Sequence, residues 1–520
     1  MKPIFITFLF FFLIGTSVFS QENYWVFFTD KNATTFQPYE YFDAKAIERR
    51  INCGISLYDS TDFPVNEIYK NTVNENVVAV TTVSRWFNAV SVVATTNQIE
   101  ILKTFPFVKN VQKIAQYQTN LCSVNDTSFD DDFANLAKQQ LNIMNGNSFK
   151  EAGFDGKGIR IAVFDGGFPE VNNHEAFEYL FDNNQIKLTW DFTKNNENVY
   201  HANYHGTMVL SNIAGKTAEI QLGLATGAEF LLARTEVNTE PFVEEKYWLA
   251  AVEWADKNGA DIINSSLGYT SDRYFIEDMD GVTSLVARAA NLAARKGILV
   301  VNAMGNDGDS DWKMVGTPAD ADSVLSIGGI DPSTGIQISF SSFGPTADGR
   351  LKPNVSTFAH AAVASPDGYQ EADGTSFASP LAAGFAACAW QAKRQLTNME
   401  LMREIEKSAT LFPYYDYAHG YGIPQANYFT EDENVARRPI PTFTLQKVNE
   451  QIVINIIDDF VDSNTVQYLY FHIADKDGKL KSYKVIQVFQ KEAFKIDVSE
   501  LNGNILRVHF KGYTEEMDTF

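Results

Sequence analysis

Four side chains of types used in hydrolysis lie at predicted strand ends and helix starts. Asp165 ends the apolar run "IRIAVFD", and His205 begins the amphipathic stretch "HGTMVLSNIAG". Asn306 closes the run "GILVVNAMGN", and Ser376 lies in "DGTSFASPLAAG", before a series of small residues. A serine hydroxyl needs a base such as imidazole to take its proton, and an amide N–H₂ can stabilise the resulting oxyanion. Together the four predict nucleophilic acyl transfer, although each alone also fits a turn, a structural histidine or a loop.

The environment of Ser376 supports this interpretation. At the start of a helix its neighbours would be backbone N–H groups and the positive end of the helix dipole, and both stabilise an oxyanion. The small residues that follow would let the helix pass through a crowded domain centre. A metal site at His201 and His205 is an alternative. A zinc-hydrolase helix needs Glu directly after its first histidine, however, and Ala202 stands there.

A strand–helix alternation runs from about residue 134 to residue 430. Short runs rich in Val, Ile and Leu alternate with helical stretches such as "YWLAAVEWADKNG" and "SLVARAANLAARKG". Near-continuous apolar strands between helices indicate a parallel sheet with helices on both faces. Ligands of such α/β sheets bind at the carboxyl ends of the strands, where the four side chains are expected.

Further domains are predicted on both sides of this region. Residues 21–118 contain strand-like runs, "NYWVFF", "ENVVAVTTV" and "NAVSVVA", and helical stretches, which together predict a small α+β module. Residues 119–133 are polar and acidic and predict an exposed linker, the kind of segment that proteases cut. Short strands with polar turns over residues 431–520 predict a β-sandwich.

Residues 1–20 have the pattern of a secretory signal peptide: a charged start, an apolar stretch and small residues before Gln21. The apolar stretch is shorter than the ~20 residues of a membrane anchor, and no later segment is apolar enough to span a bilayer. The net charge is −23, from 65 acidic and 42 basic residues, which argues against a nucleic-acid partner. Cys53, Cys122 and Cys388 are too few to pair fully, and Cys388 is expected to be buried. We therefore expect an exported protein.

The region from Gly156 to Gly384 resembles the subtilisin-like serine proteases, or subtilases. "VFDGGF" is similar to the Asp motif of that family, "HGTMVLSNIAG" to its His motif and "GTSFASPLAAG" to its Ser motif. "NSSLG", at residues 264–268, is similar to the strand that pairs with substrate, and "FSSFGP" and "KPNV" match two further landmarks. The order Asp, His, Ser along the chain is also that of subtilisin.

The resemblance implies a role for each residue. Ser376 would attack the scissile carbonyl, His205 would take the serine proton and pass it to the leaving amine, and Asp165 would orient the imidazole. Asn306 and the backbone N–H of Ser376 would bind the oxyanion. Substrate binding is implied for a second group: Ser266, Leu267 and Gly268, as a strand that pairs with substrate, and Ala303 and Gly305, near the specificity pocket.

The chain departs from the family pattern at three places. Met208 stands where a second histidine is usual, and Tyr269 stands where a second glycine is common and could narrow the cleft. "STFAH" replaces the usual Ala-Pro-Gly after "KPNV". None of these removes a catalytic group, but all bear on cleft shape and specificity.

The flanking domains carry resemblances of their own. Residues 21–118 resemble inhibitory propeptides of secreted subtilases, and "RRINCGISLYDSTDFPVNEIYK" and "SRWFNAVSVVA" are similar to those of a subgroup from Gram-negative bacteria. Such a propeptide would cap the cleft, assist folding and then be cut away. The C-terminal domain resembles the sorting domains of the type nine secretion system, but it lacks the usual Asn-Pro and a Tyr. A plain accessory β-sandwich is the alternative.

Subtilases often bind calcium, and calcium takes carboxylate oxygens at flexible spacing. Asp307, Asp309 and Asp311 form an acidic cluster beside Asn306, for which a solvated loop is the simpler interpretation. The chemistry itself is expected to need no cofactor.

The sequence thus predicts a secreted serine endopeptidase that acts on proteins or peptides and is made as an autoprocessed zymogen. One alternative is a catalytically silent subtilase fold that serves as a surface or binding module, and the intact triad argues against it. A related acid protease would use Glu as base and Asp in the oxyanion hole, which His205 and Asn306 argue against. A transpeptidase or cyclase on the same fold would differ in how water is kept from the acyl-enzyme.

Overall fold

The computed structural model describes residues 20–114, 131–237, 243–271, 273–431, 439–462, 465–490 and 493–518. The predicted signal peptide, apart from Ser20, and residues 115–130, which include most of the predicted linker and Cys122, lie outside these ranges. The chain divides into two compact units. One consists of residues 1–35 and 63–115, and the other of residues 36–62 and 116–520.

The N-terminal region forms short helices and an antiparallel sheet. In chain order the elements are β1 (Glu22–Phe28), α1 (Pro38–Tyr41), α2 (Ala44–Asn52), a 3₁₀ turn (Ser60–Asp62), α3 (Glu67–Glu75), β2 (Ala79–Ser84), β3 (Ala89–Ala94), α4 (Thr96–Leu102) and β4 (Val108–Ile114). The sheet order is β2-β3-β1-β4, and its apolar face forms a core of its own with α3 and α4. The predicted α+β module is confirmed, and α1, α2 and the 3₁₀ turn belong to the other unit.

The second unit is built on a parallel sheet. Its elements up to residue 430 are α5 (Asp131–Asn142), α6 (Gly146–Ala152), β5 (Arg160–Asp165), α7 (Glu178–Asp182), β6 (Ile186–Asp191), α8 (His205–Ala214), β7 (Glu229–Arg234), α9 (Val243–Lys257), β8 (Ile262–Ser265), a 3₁₀ turn (Ile276–Asp278), α10 (Leu285–Arg295), β9 (Leu299–Ala303), β10 (Val324–Ile330), β11 (Val355–Phe358), β12 (His360–Ser365), β13 (Gly368–Asp373), α11 (Thr375–Ala392), α12 (Asn398–Ser408) and α13 (Asn427–Thr430).

The strand order of the parallel sheet is β11-β10-β9-β8-β5-β7-β6. Apart from the edge strand β6, its strands are buried on both faces, which explains why they are apolar runs rather than alternating patterns. The predicted α/β fold is confirmed. The carboxyl ends of β5, β8 and β9 are adjacent, so the loops after them meet at one edge of the sheet.

Helix α11 passes through the centre of this unit. Its side chains from Phe377 to Trp390 are buried, and it packs against α8 and the middle strands. Gly384 shows why the residues are small: an added Cβ would lie 3.1 Å from the carbonyl oxygen of Ile213 in α8. Cys388 is buried here, as predicted. The run after Ser376 is therefore small because two helices approach closely.

The C-terminal region forms two antiparallel sheets that enclose one apolar core. The sheet orders are β14-β15-β18 and β17-β16-β19-β20. The elements are β14 (Phe443–Val448), β15 (Gln451–Ile456), a 3₁₀ turn (Asp458–Phe460), β16 (Tyr468–Ala474), β17 (Leu480–Gln487), β18 (Ala493–Asp497), α14 (Val498–Leu501), β19 (Ile505–Phe510) and β20 (Tyr513–Asp518). This is the predicted β-sandwich.

Candidate active site

Asp165 and His205 meet at the carboxyl edge of the sheet. Asp165 is the last residue of β5 and is fully buried, and His205 is the first residue of α8. The His205 Nδ1 lies 3.0 and 2.9 Å from the two carboxylate oxygens, and the N–H of Gly166 donates to Oδ1 at 2.7 Å. A carboxylate on Nδ1 holds the proton there and leaves Nε2 as the basic nitrogen.

The close approach of α8 to β5 depends on Gly206. A Cβ added at Gly206 would lie 2.3 Å from the carbonyl oxygen of Gly167 and 2.9 Å from the Asp165 Cβ. Any larger residue would push the start of the helix away from the end of the strand. The glycine after the histidine is thus needed to place His205 on Asp165.

Ser376 lies in the first turn of α11 and is half-buried. Its Oγ donates to the carbonyl oxygen of Ser266 at 3.1 Å, and the Ser266 hydroxyl donates to the carbonyl oxygen of Ser376 at 2.8 Å. The ring of the next residue, Phe377, lies with its centroid 5.6 Å from that of His205. The first turn of α11 is therefore beside the imidazole, and the Ser376 hydroxyl, which is bonded to Ser266, would have to turn towards Nε2 before it could lose its proton.

Asn306 faces the same turn of α11 and is held by Thr375. The Asn306 Oδ1 accepts the backbone N–H of Thr375 at 2.8 Å and the Thr375 hydroxyl at 2.8 Å. With its oxygen occupied in this way, Nδ2 remains as the donor of the amide, and it lies next to Gly374, directly before α11. Thr375 was not singled out from the sequence, although it stands in the quoted Ser motif. The sequence feature that points to Thr375 is its position directly before the predicted nucleophile, Ser376.

The residues expected to bind substrate follow β8 and β9. Leu267 is nearly buried and its carbonyl oxygen accepts the Asn302 amide at 2.9 Å, which fixes the segment after β8. Gly268 is exposed, and a Cβ added there would have no atom within 4 Å. Ala303 is the buried last residue of β9, and the Gly305 N–H lies 3.2 Å from the Thr375 hydroxyl. The structure thus brings all nine predicted site residues to one edge of the sheet.

Met208 and Tyr269, two of the residues that depart from the family pattern, both pack inside the protein. The Met208 sulfur lies 3.2 Å from the Gln370 amide nitrogen of β13, inside the protein. The Tyr269 ring is buried under the Arg273 guanidinium, 4.0 Å from the ring centroid, and its backbone pairs with Thr317 in both directions. Burial raises the pKa of the Tyr269 hydroxyl well above its usual value. The tyrosine therefore packs into the protein beside the substrate segment.

The metal interpretations find no support in the part of the chain that the structure describes. His201 pairs with Asp191 at 3.2 Å and His205 with Asp165, so the two histidines serve different carboxylates. Asp309 and Asp311 are exposed, and among the described residues no three His, Cys, Asp or Glu side chains converge as metal ligands would. The Asp307 to Asp311 loop does not fit a calcium site made of side chains.

An acidic cavity of about 480 Å³ lies next to the hairpin that leads into Ser376. His360 lines it between Asp373, at 2.8 Å, and Glu371, at 3.2 Å, and Asp331 is also part of the wall. The hydrogen bond to Asp373 raises the pKa of His360. This cavity could not be predicted from the sequence, because its residues come from separate segments.

Two family models match the chain. The model of the subtilase family covers residues 156–427, which is more than half of the 520 residues. The model of the peptidase S8 propeptide domain of Bacteroidota covers residues 23–128. These matches fall on the α/β unit and on the N-terminal region.

The chain is also similar to several curated bacterial proteins. Alkaline elastase YaB of Bacillus sp. (strain YaB) is 29% identical over 264 residues, 50% of this chain and 61% of that protein. Minor extracellular protease Epr of Bacillus subtilis (strain 168) is 26% identical over 454 residues, 82% of this chain and 64% of that protein. Subtilisin DY of Bacillus licheniformis is 33% identical over 211 residues, 40% of this chain and 71% of that protein. The first two alignments thus span less than two thirds of those relatives.

A crystal structure of a cold adapted subtilisin-like serine proteinase is also similar. Its TM-score is 0.41 at 24% identity, and the match covers 52% of this chain and 88% of that one. The parallel α/β sheet with an Asp–His pair and a serine at one edge defines a protein of the subtilisin fold. With the family match over residues 156–427, the chain belongs to the subtilase family and carries a propeptide domain of the peptidase S8 type.

Proposed function

We propose that the protein is a serine endopeptidase that cleaves protein or peptide substrates through Asp165, His205 and Ser376. The observation that carries the proposal is the Asp165–His205 pair, at 2.9 and 3.0 Å, beside a serine in the first turn of α11. Family membership supports the reaction class. A silent binding module would have no physical need for a buried carboxylate on the Nδ1 of a histidine next to that serine.

The proposed reaction starts with transfer of the Ser376 proton to the His205 Nε2 and attack of Oγ on the scissile carbonyl carbon. The oxyanion would be held by the Asn306 Nδ2 and the Ser376 backbone N–H, while Asp165 stabilises the imidazolium. His205 then protonates the leaving amine, and a water hydrolyses the acyl-enzyme. Gly268 and its neighbours would pair with the substrate backbone on the exposed side of the segment after β8.

We also propose that the chain is exported and processed. The domain limits proposed from the sequence are a signal peptide at residues 1–20, a propeptide at 21–118, a cut within 119–133, a peptidase domain at 134–430 and a C-terminal domain at 431–520. The propeptide match and the extracellular relative Epr support this order. No helix among the described residues is long and apolar enough to cross a membrane. Recognition of the C-terminal domain by a secretion machinery rests on resemblance alone.

Labelling with a serine-reactive phosphonate tests the proposal. The wild-type chain is incubated beside Ser376→Ala and followed by mass spectrometry. We expect wild type to lose an N-terminal fragment and to take up one phosphonate, and Ser376→Ala to do neither. Ser333→Ala, at an exposed loop serine, should behave as wild type. A chain that stays unlabelled even after an added protease has digested the N-terminal region completely would overturn catalysis by Ser376.

A further inference from the structure

Residues 36–62 lie within the propeptide match but pack with the second unit, which contains the peptidase domain and is called the protease unit below. The propeptide model covers residues 23–128, whereas residues 36–62 cluster with the residues after 115. The segment contains α2, which begins at its N-cap Asp43 and ends at the C-cap Cys53, and the 3₁₀ turn at Ser60–Asp62. The contacts that hold this segment are therefore contacts with the peptidase part of the chain.

Two adjacent arginines of α2 are buried in a network of charges. Arg50 is fully buried and donates to Asp62 at 2.8 Å and to Asp256, in the last turns of α9, at 2.6 Å. Arg49 is 3% exposed and donates to the other oxygen of Asp256. Lys296, which follows α10 and is 1% exposed, donates to Asp62 at 2.9 Å. Each buried charge thus has an opposite charge in contact, as burial requires.

Backbone groups of the protease unit complete this network. Arg49 Nε donates to the carbonyl oxygen of Lys296 at 3.2 Å, and another of its nitrogens donates to the carbonyl oxygen of Ala260. The backbone N–H of Asp43 donates to the carbonyl oxygen of Lys257 at 2.9 Å. A guanidinium with several fixed acceptors is specific for its site, because its donors form a rigid fork.

Two further ion pairs join the rim of α2 to the protease sheet. Lys45 lies 3.1 Å from Asp261, and Arg160 lies 3.2 Å from Asp43. Gly259 allows α2 to approach closely, since a Cβ added there would lie 2.8 Å from the Lys45 Cβ. These two ion pairs are more exposed, so they contribute less to the binding of α2 than the buried network does.

The binding surface of α2 is at the edge of the sheet opposite to the candidate active site. Arg160 is the first residue of β5, Asp261 precedes β8, and Lys296 lies shortly before β9. Asp165 and Asn306 end or follow the same strands at the other edge. Parallel strands of five to six residues separate the two edges by roughly 16–20 Å. A segment bound here contacts the protease independently of the cleft.

We propose that residues 36–62 are a second anchor of the propeptide, which keeps the propeptide bound to the protease after the linker has been cut. The anchor binds the amino edge of the sheet through Arg49, Arg50 and Asp62, and its receptor is Asp256 and Lys296. The inference rests on the proposed zymogen processing.

The test uses the full chain with Ser376→Ala, so that no step depends on its own catalysis. A recognition site for a specific protease is inserted in residues 119–130, the chain is cut there, and gel filtration shows whether the N-terminal fragment stays with the protease. We expect co-elution with the native anchor. Arg50→Met and Asp256→Asn should each weaken retention by about 100-fold or more, because each breaks two buried ion pairs of the network.

Lys103→Met is the matched control, since Lys103 makes an exposed pair with Glu100 in the same propeptide. It should leave retention unchanged. If an anchor variant does not fold, hydrogen exchange of the α2 amides in the cut chain with the native anchor gives a second readout, and protection is expected. Release of the fragment from the native anchor, rapid exchange of α2, or equal retention in the folded variants would overturn the anchor. Phosphonate labelling is measured separately, on wild-type protein from which the N-terminal region has been removed, so the two proposals fail separately.

Discussion

At the scale of single residues, the candidate oxyanion donor is oriented by a neighbour rather than by its own loop. Asn306 is exposed, and an exposed asparagine has several rotamers available. The two hydrogen bonds from Thr375 select the rotamer in which the amide oxygen faces α11 and Nδ2 is kept as the donor. Removing such an oxyanion donor costs about 10²–10³ in kcat, so its orientation is worth part of that factor.

Thr375→Val tests this positioning role. The variant keeps the shape and the backbone N–H but removes the hydroxyl that donates to Asn306, and we expect kcat to fall about 10-fold with little change in KM, because one hydrogen bond is lost. Thr375→Ser retains the hydroxyl and should restore kcat. Steady-state kinetics on a peptide substrate after complete removal of the propeptide would check both. An equal loss in the two variants would mean that the fit of the whole side chain, and not the hydrogen bond in particular, sets kcat.

At the scale of elements, α11 links the fold to the site, because it begins at the nucleophile and then crosses the core. Gly384→Leu should lower the free energy of unfolding by about 1–3 kcal/mol, since the new side chain would press on the Ile213 carbonyl of α8. Thermal unfolding of the Ser376→Ala chain with and without the change gives the value. Ala392→Leu, at the half-buried end of α11, is the control and should have a smaller effect. Equal melting temperatures for Gly384→Leu and its parent would contradict this account of the small residues.

The same elements show what the sequence could predict. The apolar runs ending at Asp165 and Ala303 identified buried strands, and the order of the motifs placed four side chains at one sheet edge. The position of α2 was not predictable in this way. Arg49 and Arg50 give α2 the appearance of a helix with a solvated charged face, and the partners that bury them, Asp256 and Lys296, are about 200 residues away in the chain. Periodicity reports which face is apolar, whereas a buried ion pair leaves no periodic signal.

At the scale of the whole molecule, the C-terminal β-sandwich packs on the peptidase domain of the same unit, at residues 413–415. The Tyr415 carbonyl accepts the Nδ1–H of His472 in β16 at 2.6 Å, the Tyr414 ring stacks on His472 with centroids 5.0 Å apart, and Arg507 donates to the carbonyl of Pro413 at 2.9 Å. The sequence pattern predicted the sandwich but carried no information on this surface.

The docking should make the stability of the whole chain sensitive to acid. Burial lowers the pKa of His472 from 6.5 to about 4, and Arg507 acts in the same direction. The Tyr415 hydrogen bond, Asp416 and Glu516 oppose this shift. Burial likewise lowers the pKa of His509 in β19 to about 4. Between pH 6.5 and 4 the unfolded chain therefore binds more protons than the folded chain at both histidines. Their contribution to stability is complete above pH 6.5 and is lost as the pH falls towards 4.

Urea unfolding of the Ser376→Ala chain at pH 7 and pH 5 measures this loss. We expect each histidine to account for about 2 kcal/mol of the difference in the free energy of unfolding. His472→Asn keeps a donor for the Tyr415 carbonyl but has no proton to gain, so its stability should fall less between the two pH values than that of its parent. His360, whose pKa is raised by Asp373, contributes with the opposite sign and remains in both proteins, so it cancels in the comparison. An identical pH dependence of the variant and its parent would show that protonation of His472 does not loosen the docked sandwich.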